Sequence, residues 1–258
     1  MNPRAWVTLA KGVVLESVRR KDLWVVAILG FLIMASAGAL GFFGMSGLEA
    51  FAKDLAGTVL GGFGTIVAII ISTRLMPDEI RQRTLYPLIA RPISRFDLLM
   101  GKYLGAVAVT TIAFLILTAL VGVSLAMFKV GYEPVMLQYV LVRLMGLSIV
   151  CAVGIALSLV MTPNAASTMG FVLAFGSGLI VRALVMAYET SPGPMQPVFR
   201  VVNALVPQYG LFDLSGRAAN QGWGPAPAWV VGTLILYAVG YSGAMLALGW
   251  AKFRRQAV

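Results

Sequence analysis

Apolar residues run along this chain in long, nearly unbroken blocks. Six reach spanning length: Leu23 to Met45, Leu55 to Met76, Tyr103 to Phe128, Val140 to Met161, Ala166 to Tyr188 and Trp229 to Trp250. At a rise of about 1.5 Å per residue, a helix over each block matches the roughly 30 Å hydrocarbon core of a bilayer. Soluble strands would alternate apolar and polar positions, and soluble helices would keep a polar stripe; the blocks do neither. The pattern predicts an all-α, polytopic membrane protein with six transmembrane helices in one domain over residues 1–258. The first block is longer than a signal-peptide core of about 7 to 15 residues, which predicts an uncleaved anchor. The fifth is the least regular, since Arg182 interrupts it and Gly176 and Gly178 loosen it.

Three segments between the blocks keep a pattern of their own. In residues 1–22, Trp6, Leu9, Ala10 and Val13 share one face at 100° per residue, while Arg4, Thr8 and Lys11 lie opposite and Leu15 breaks the pattern. This predicts an amphipathic interfacial helix on the inner leaflet, with Arg19, Arg20 and Lys21 at the headgroups; ordinary positively charged flanking sequence is the plainer alternative. Residues 189–228 carry Pro192, Pro194, Pro197, Pro207, Pro225 and Pro227 among apolar stretches. Short helices dipping back into the outer half of the membrane, a re-entrant outer segment, suit that mixture. Residues 77–101 are the most patterned: Pro77, Asp78 and Glu79 suit the start of a short surface helix, Pro87 and Pro92 end it, and Ser94 with Asp97 has the spacing of a capping box for the next helix. Glu79 and Arg83, four apart, support an ion pair of about 0.2–0.5 kcal/mol on that surface helix.

Composition sharpens this picture. Hydrophobic residues make up 59% of the 258 and charged ones 12%, where a soluble domain is about half apolar and a quarter charged. Twenty Lys and Arg against ten Asp and Glu give a net charge of +10. No basic stripe with interleaved aromatics accompanies it, so nucleic acid is not the expected partner. The excess instead orients the bundle. Five cations precede the first block, six lie from Arg74 to Lys102 and three follow Trp250, leaving Lys53, Lys129, Arg143, Arg182, Arg200 and Arg217 elsewhere. Cytoplasmic N- and C-termini follow from the positive-inside rule. There is no His, Cys151 is the only cysteine, and no carboxylate lies near the middle of a block. Metal sites, proton relays and intramembrane acid–base catalysis therefore lack their usual groups. No GxxxxGK[ST] phosphate loop occurs, so the chain holds no nucleotide motor of its own and is not expected to be an enzyme.

Glu79, then Thr84 and Leu85, then Arg91-Pro92-Ile93-Ser94-Arg95, then Gly101-Lys102-Tyr103-Leu104 resemble the signature of type-2 ATP-binding-cassette (ABC) export permeases. Those proteins commonly carry E-x-x-x-G-T-L, P-[IV]-S-R and G-K-[YF]-L in that order. Arg83 stands where the glycine is usual, and Pro87 interrupts a helix that is often Leu-rich. The resemblance is close over about thirty residues, and six spans, an amphipathic first helix and a long outer segment extend it along the chain. It implies a permease subunit of an exporter that binds no cofactor itself, with ATP and Mg on a separate cytoplasmic ABC ATPase. It implies a coupling helix over Asp78 to Ala90, with Asp78, Glu79, Arg81, Arg83, Thr84, Leu85, Arg91, Pro92, Ser94 and Arg95 in the ATPase-coupling segment. A second coupling turn would use Thr162, Pro163 and Asn164. Further implied partners are a second permease copy or paralogue, membrane lipid and a soluble or periplasmic accessory protein; the implied location is a bacterial or archaeal inner membrane.

Arg143 and Arg182 fall in the outer portions of the fourth and fifth blocks. An unpaired cation at full depth costs about 3 kcal/mol, so each is expected to snorkel, pair, or contact an anionic substrate. Two alternatives to an exporter stay open on sequence: an ATP-coupled membrane scaffold for maturation of envelope proteins, and a secondary transporter. Vanadate-sensitive transport in liposomes separates the exporter from the scaffold. Copurification with an ATPase separates both from the secondary transporter.

Overall fold

The computed structural model describes residues 3–19, 28, 30–32, 48–81, 94–127, 131, 134–190, 195–219 and 224–255. Among the described residues the chain is helical, with no strand. The helices are α1 (Pro3–Arg19), α2 (Leu48–Arg81), α3 (Arg95–Met127), α4 (Pro134–Ser158), α5 (Pro163–Thr190), α6 (Gln196–Leu205), α7 (Ser215–Ala219) and α8 (Ala228–Arg255), with a 3-10 turn at Tyr209–Phe212. Five of them are long and apolar enough to cross a membrane, over Phe51–Pro77, Arg95–Met127, Pro134–Ser158, Pro163–Thr190 and Ala228–Arg254. The protein is thus suited to a multi-pass membrane setting. The first predicted span lies outside the described residues apart from Ile28 and Gly30 to Leu32, which are helical, with Gly30 against Leu117 of α3.

α4 occupies the middle of the bundle, with α2, α3 and α8 packed around it and most of its Ile149–Ile155 stretch buried. α5 packs mainly on α2 and α4 and leaves Val172, Phe175, Leu179 and Met186 exposed. The glycine-rich stretch of α2 is spent largely inside the chain. Gly57 abuts Ser215, Gly61 abuts Tyr139 and Arg143, and Gly64 abuts Phe114 and Leu147, whereas Gly62 has open space.

α1 does not lie free on a membrane surface by its apolar face. That face is seated on α3: Leu9 packs where a Cβ on Gly101 would stand and Val13 where one on Gly105 would stand, both 2.7 Å away. Gly101 and Gly105, four apart on one helical face, form the groove that admits it. Val13 is 2% exposed, whereas Val7, Leu15 and Val18 are more than half exposed, interspersed with Arg4 and Lys11. The outward face is therefore the exposed one.

At Pro77 the structure departs from the expected restart of the chain as a surface helix. α2 runs on through Pro77 to Arg81. Proline at this point removes one backbone bond, but its fixed φ is compatible with a helix, so the Pro-Asp-Glu start signal falls inside a continuing helix.

Candidate functional site

The structure gathers five chain segments at the end of the bundle where α2 finishes and α3 begins, called the basal end below. Ser94 caps α3: its Oγ accepts the Asp97 N–H at 3.0 Å and donates to Asp97 Oδ2 at 2.6 Å. The N-cap read from the spacing is present, with the Asp97 carboxylate meeting the Ser94 hydroxyl. Asp97, only 5% exposed, also accepts the Trp6 indole N–H on Oδ1 at 2.7 Å, so the cap of α3 anchors α1. Phe96 meets Trp6 and Trp250 edge-on, with ring centroids 6.3 Å apart in each pair. Arg95 Nη1 donates to the carbonyls of Phe253 and Arg254 at 3.0 and 3.2 Å, and its guanidinium lies over the Phe253 ring. It thereby caps the C-terminal end of α8, whose last carbonyls have no partners within the helix.

Of the residues expected in the coupling segment, Ser94 and Arg95 thus take structural roles that bind α1, α3 and α8 together. Asp78, Glu79 and Arg81 stand in the last turn of α2. Arg83, Thr84, Leu85, Arg91 and Pro92 lie outside the described residues. The second turn is at the same end. Pro163 opens α5, Thr162 accepts the Ala166 N–H at 2.8 Å, and Thr162 and Asn164 are exposed. A hydroxyl pair, Thr73 with Ser167 at 2.7 Å, fixes the start of α5 to the end of α2.

The opposite end holds a cavity of about 330 Å³ between α2, α4, α5 and the 209–215 segment. Arg143 lines it, donating from Nη2 to the Gly61 carbonyl at 2.9 Å and to Thr65 Oγ1 at 3.0 Å. Asp213 lines it too, its Oδ1 accepting the Ser215 N–H at 3.0 Å. Tyr209 is buried in its wall, and that burial pushes the phenol well above its ordinary range. Arg182, by contrast, is exposed and does not line this cavity. The two expected substrate contacts are not brought together.

Residues 23–258 match the sequence family described as a protein of unknown function, DUF2705. The chain belongs to the DUF2705 family. A search of curated proteins returns no significant match.

Sequence reasoning about this DUF2705 protein missed Asp213 and Trp6 as working residues. Asp213 had a signal, being the one carboxylate after Glu189. Trp6 had only its place on an apolar face, and its pairing across 91 positions leaves no mark on local pattern. The outer segment is also tied down tightly. Gln138 exchanges two hydrogen bonds with the Ala226 backbone at 2.9 and 2.7 Å, Tyr241 donates to the Leu205 carbonyl at 2.7 Å, and Phe212, fully buried, packs against Gly146.

Proposed function

We propose that this chain is the membrane-spanning permease subunit of an ATP-driven exporter, coupling hydrolysis by a separate cytoplasmic ATPase to outward movement or membrane extraction of a substrate. The observation that carries the reading is the placement of the motif residues and the second turn at one end of the bundle. Ser94 and Arg95 of P-I-S-R and Gly101 of G-K-Y-L lie at the basal end, where the exposed Thr162 and Asn164 also lie. A push on the 77–93 segment at that end would act on a joint that already links α1, α3 and α8. In this proposal the basal end is cytoplasmic, both termini lie there, six helices span an inner membrane, and two permease chains work with two ATPase subunits. The exposed face of α1, with Arg4 and Lys11 among Val7, Leu15 and Val18, suits an anionic leaflet. The outer segment is proposed as re-entrant. Phe212 reaches Gly146, twelve residues into α4 and so about 18 Å from its start.

The test is copurification of the tagged chain with an ABC ATPase, compared with Glu79→Lys. Wild type should bring the ATPase down with it, and the variant should insert normally and lose most of it. An insertion-competent variant that retains both the ATPase and its activity removes Glu79 from the coupling surface, and a wild-type chain that brings down no ATPase overturns the exporter assignment.

A further inference from the structure

The cavity beside Arg143 carries two charged side chains, Arg143 and Asp213, among hydroxyl and apolar lining residues, and its cation is incompletely used. Nη2 spends both its hydrogens, on Gly61 and Thr65. Among the described residues, the buried Nε has no partner. Nη1 makes no hydrogen bond to them either and is not a buried atom, so it is the accessible donor of a side chain that lines the cavity. Asp213 lines the same space without an ion pair to Arg143, and Leu147, Val150 and Phe175 supply apolar wall. A guanidinium nine residues into a 25-residue membrane-length helix is costly unless something answers its charge. A lone anion would answer Arg143 but meet the Asp213 carboxylate.

We propose that this cavity binds a zwitterionic headgroup carrying a phosphate and a primary ammonium. The phosphate takes the free Nη1 donors of Arg143 and the ammonium donates to Asp213. The planar guanidinium matches phosphate oxygens, and a primary ammonium can donate hydrogen bonds where a quaternary one cannot. A volume of 330 Å³ is at the lower end of the roughly 300–1,000 Å³ typical of ligand pockets, room for a headgroup rather than a whole lipid. Acyl chains would leave past Phe175, which is exposed on the outward face of α5. The inference needs only the membrane setting of the bundle and stands whether or not an ATPase drives it.

Native mass spectrometry of the full chain in detergent tests it. The probes are phosphatidylethanolamine, phosphatidylcholine and phosphatidylglycerol of matched acyl chains, with free O-phosphoethanolamine as competitor. Phosphatidylethanolamine adducts should exceed the other two about tenfold. Adducts that phosphoethanolamine fails to displace assign the lipid as the source, and displacement assigns a soluble zwitterion; either supports the site. Arg143→Gln should reduce the adduct about tenfold, and Asp213→Asn should erase the preference over phosphatidylglycerol. Gly62→Leu and Gly178→Leu guard against a folding defect in Arg143→Gln. Both glycines line the cavity and an added Cβ at either meets nothing within 4 Å, so leucine is placed where the backbone has open space beside it, and an unchanged thermal midpoint in detergent checks the fold. Equal adducts for all three lipids, or full phosphatidylethanolamine occupancy in the leucine variants, overturns the proposal.

Discussion

Replacing Gly101 and Gly105 together by alanine tests how α1 is held. Each new methyl would stand 2.7 Å from a Cβ of α1, that of Leu9 or of Val13. Carbon atoms rest at about 3.5–4.0 Å, so α1 must retreat by about 1 Å at both points. Overpacking of this kind costs about 1–3 kcal/mol per site, hence about 2–6 kcal/mol for the pair. Against that stand the burial of Val13, worth about 1.5–3 kcal/mol, and the Trp6 hydrogen bond to the Asp97 carboxylate, worth about 1.5–3 kcal/mol. The two sums are nearly equal. A single substitution should leave α1 docked with a small shift, whereas the double variant should bring it close to detachment. Hydrogen–deuterium exchange of the peptide covering residues 6–15 reads this directly, because about 1.4 kcal/mol corresponds to a tenfold change in opening. Exchange there should rise at least about thirtyfold in Gly101→Ala/Gly105→Ala, at least about fivefold in either single variant, and not at all across α4. Unchanged exchange over residues 6–15 in the double variant would refute the claim that the two glycines form the seat.

Ser94→Ala removes the cap of α3 while leaving the Trp6 bond to Asp97, so a loss of about 0.5–2 kcal/mol is expected, read as a lower thermal midpoint in detergent. Arg95→Gln should fray the last turn of α8, because the Phe253 and Arg254 carbonyls lose their donor; faster exchange confined to residues 250–255 checks it, and faster exchange across all of α8 would contradict it. For Tyr209, burial raises the folded-state pKa above the unfolded value of about 10, so its contribution to stability is present below that pH and is lost as the pH rises beyond it. Tyr209→Phe should therefore lose less stability than wild type between pH 10 and pH 11; equal losses would show that Tyr209 is not the titrating group.

Much of the fold follows from local pattern. The later five apolar blocks each coincide with a membrane-length helix, because a stretch that must satisfy every backbone group internally has little choice but to be helical. Boundaries were less legible. Hydropathy alone starts the third block at Tyr103, whereas the capping spacing starts the helix at Ser94, and α3 does begin at Arg95; its first turns carry Asp97 and Lys102, which hydropathy counts as outside although both are buried. Ser94 and Asp97 announced a cap, since capping is a contact three residues long. Arg95 gave no hint that it would reach α8, 158 positions on. Arg143 and Arg182 illustrate the same limit. Both read as cations in an apolar helix, yet one is held against Gly61 and Thr65 on a cavity wall and the other is exposed, a difference set by which neighbour each helix face meets.

Ser94, Arg95 and Gly101 also divide the labour of the basal end differently from a simple docking patch. A contact surface for a partner needs side chains that are free to face it. Ser94 and Arg95 are instead committed to α3 and α8, and Gly101 is filled by Leu9 of α1. Their value in the proposed machine would be stiffness. A displacement delivered at residues 77–93 would pass into α3 and, through Asp97 and Arg95, into α1 and α8, with little slack at hydrogen bonds of 2.6–3.2 Å. α5 is joined to that end through α2 instead, by Thr73 and Ser167, and its outward face remains free. The two groups of helices are thus connected to the loop by separate joints. Relative movement between them would change the space lined jointly by α2, α4 and α5, the space in which Arg143 stands.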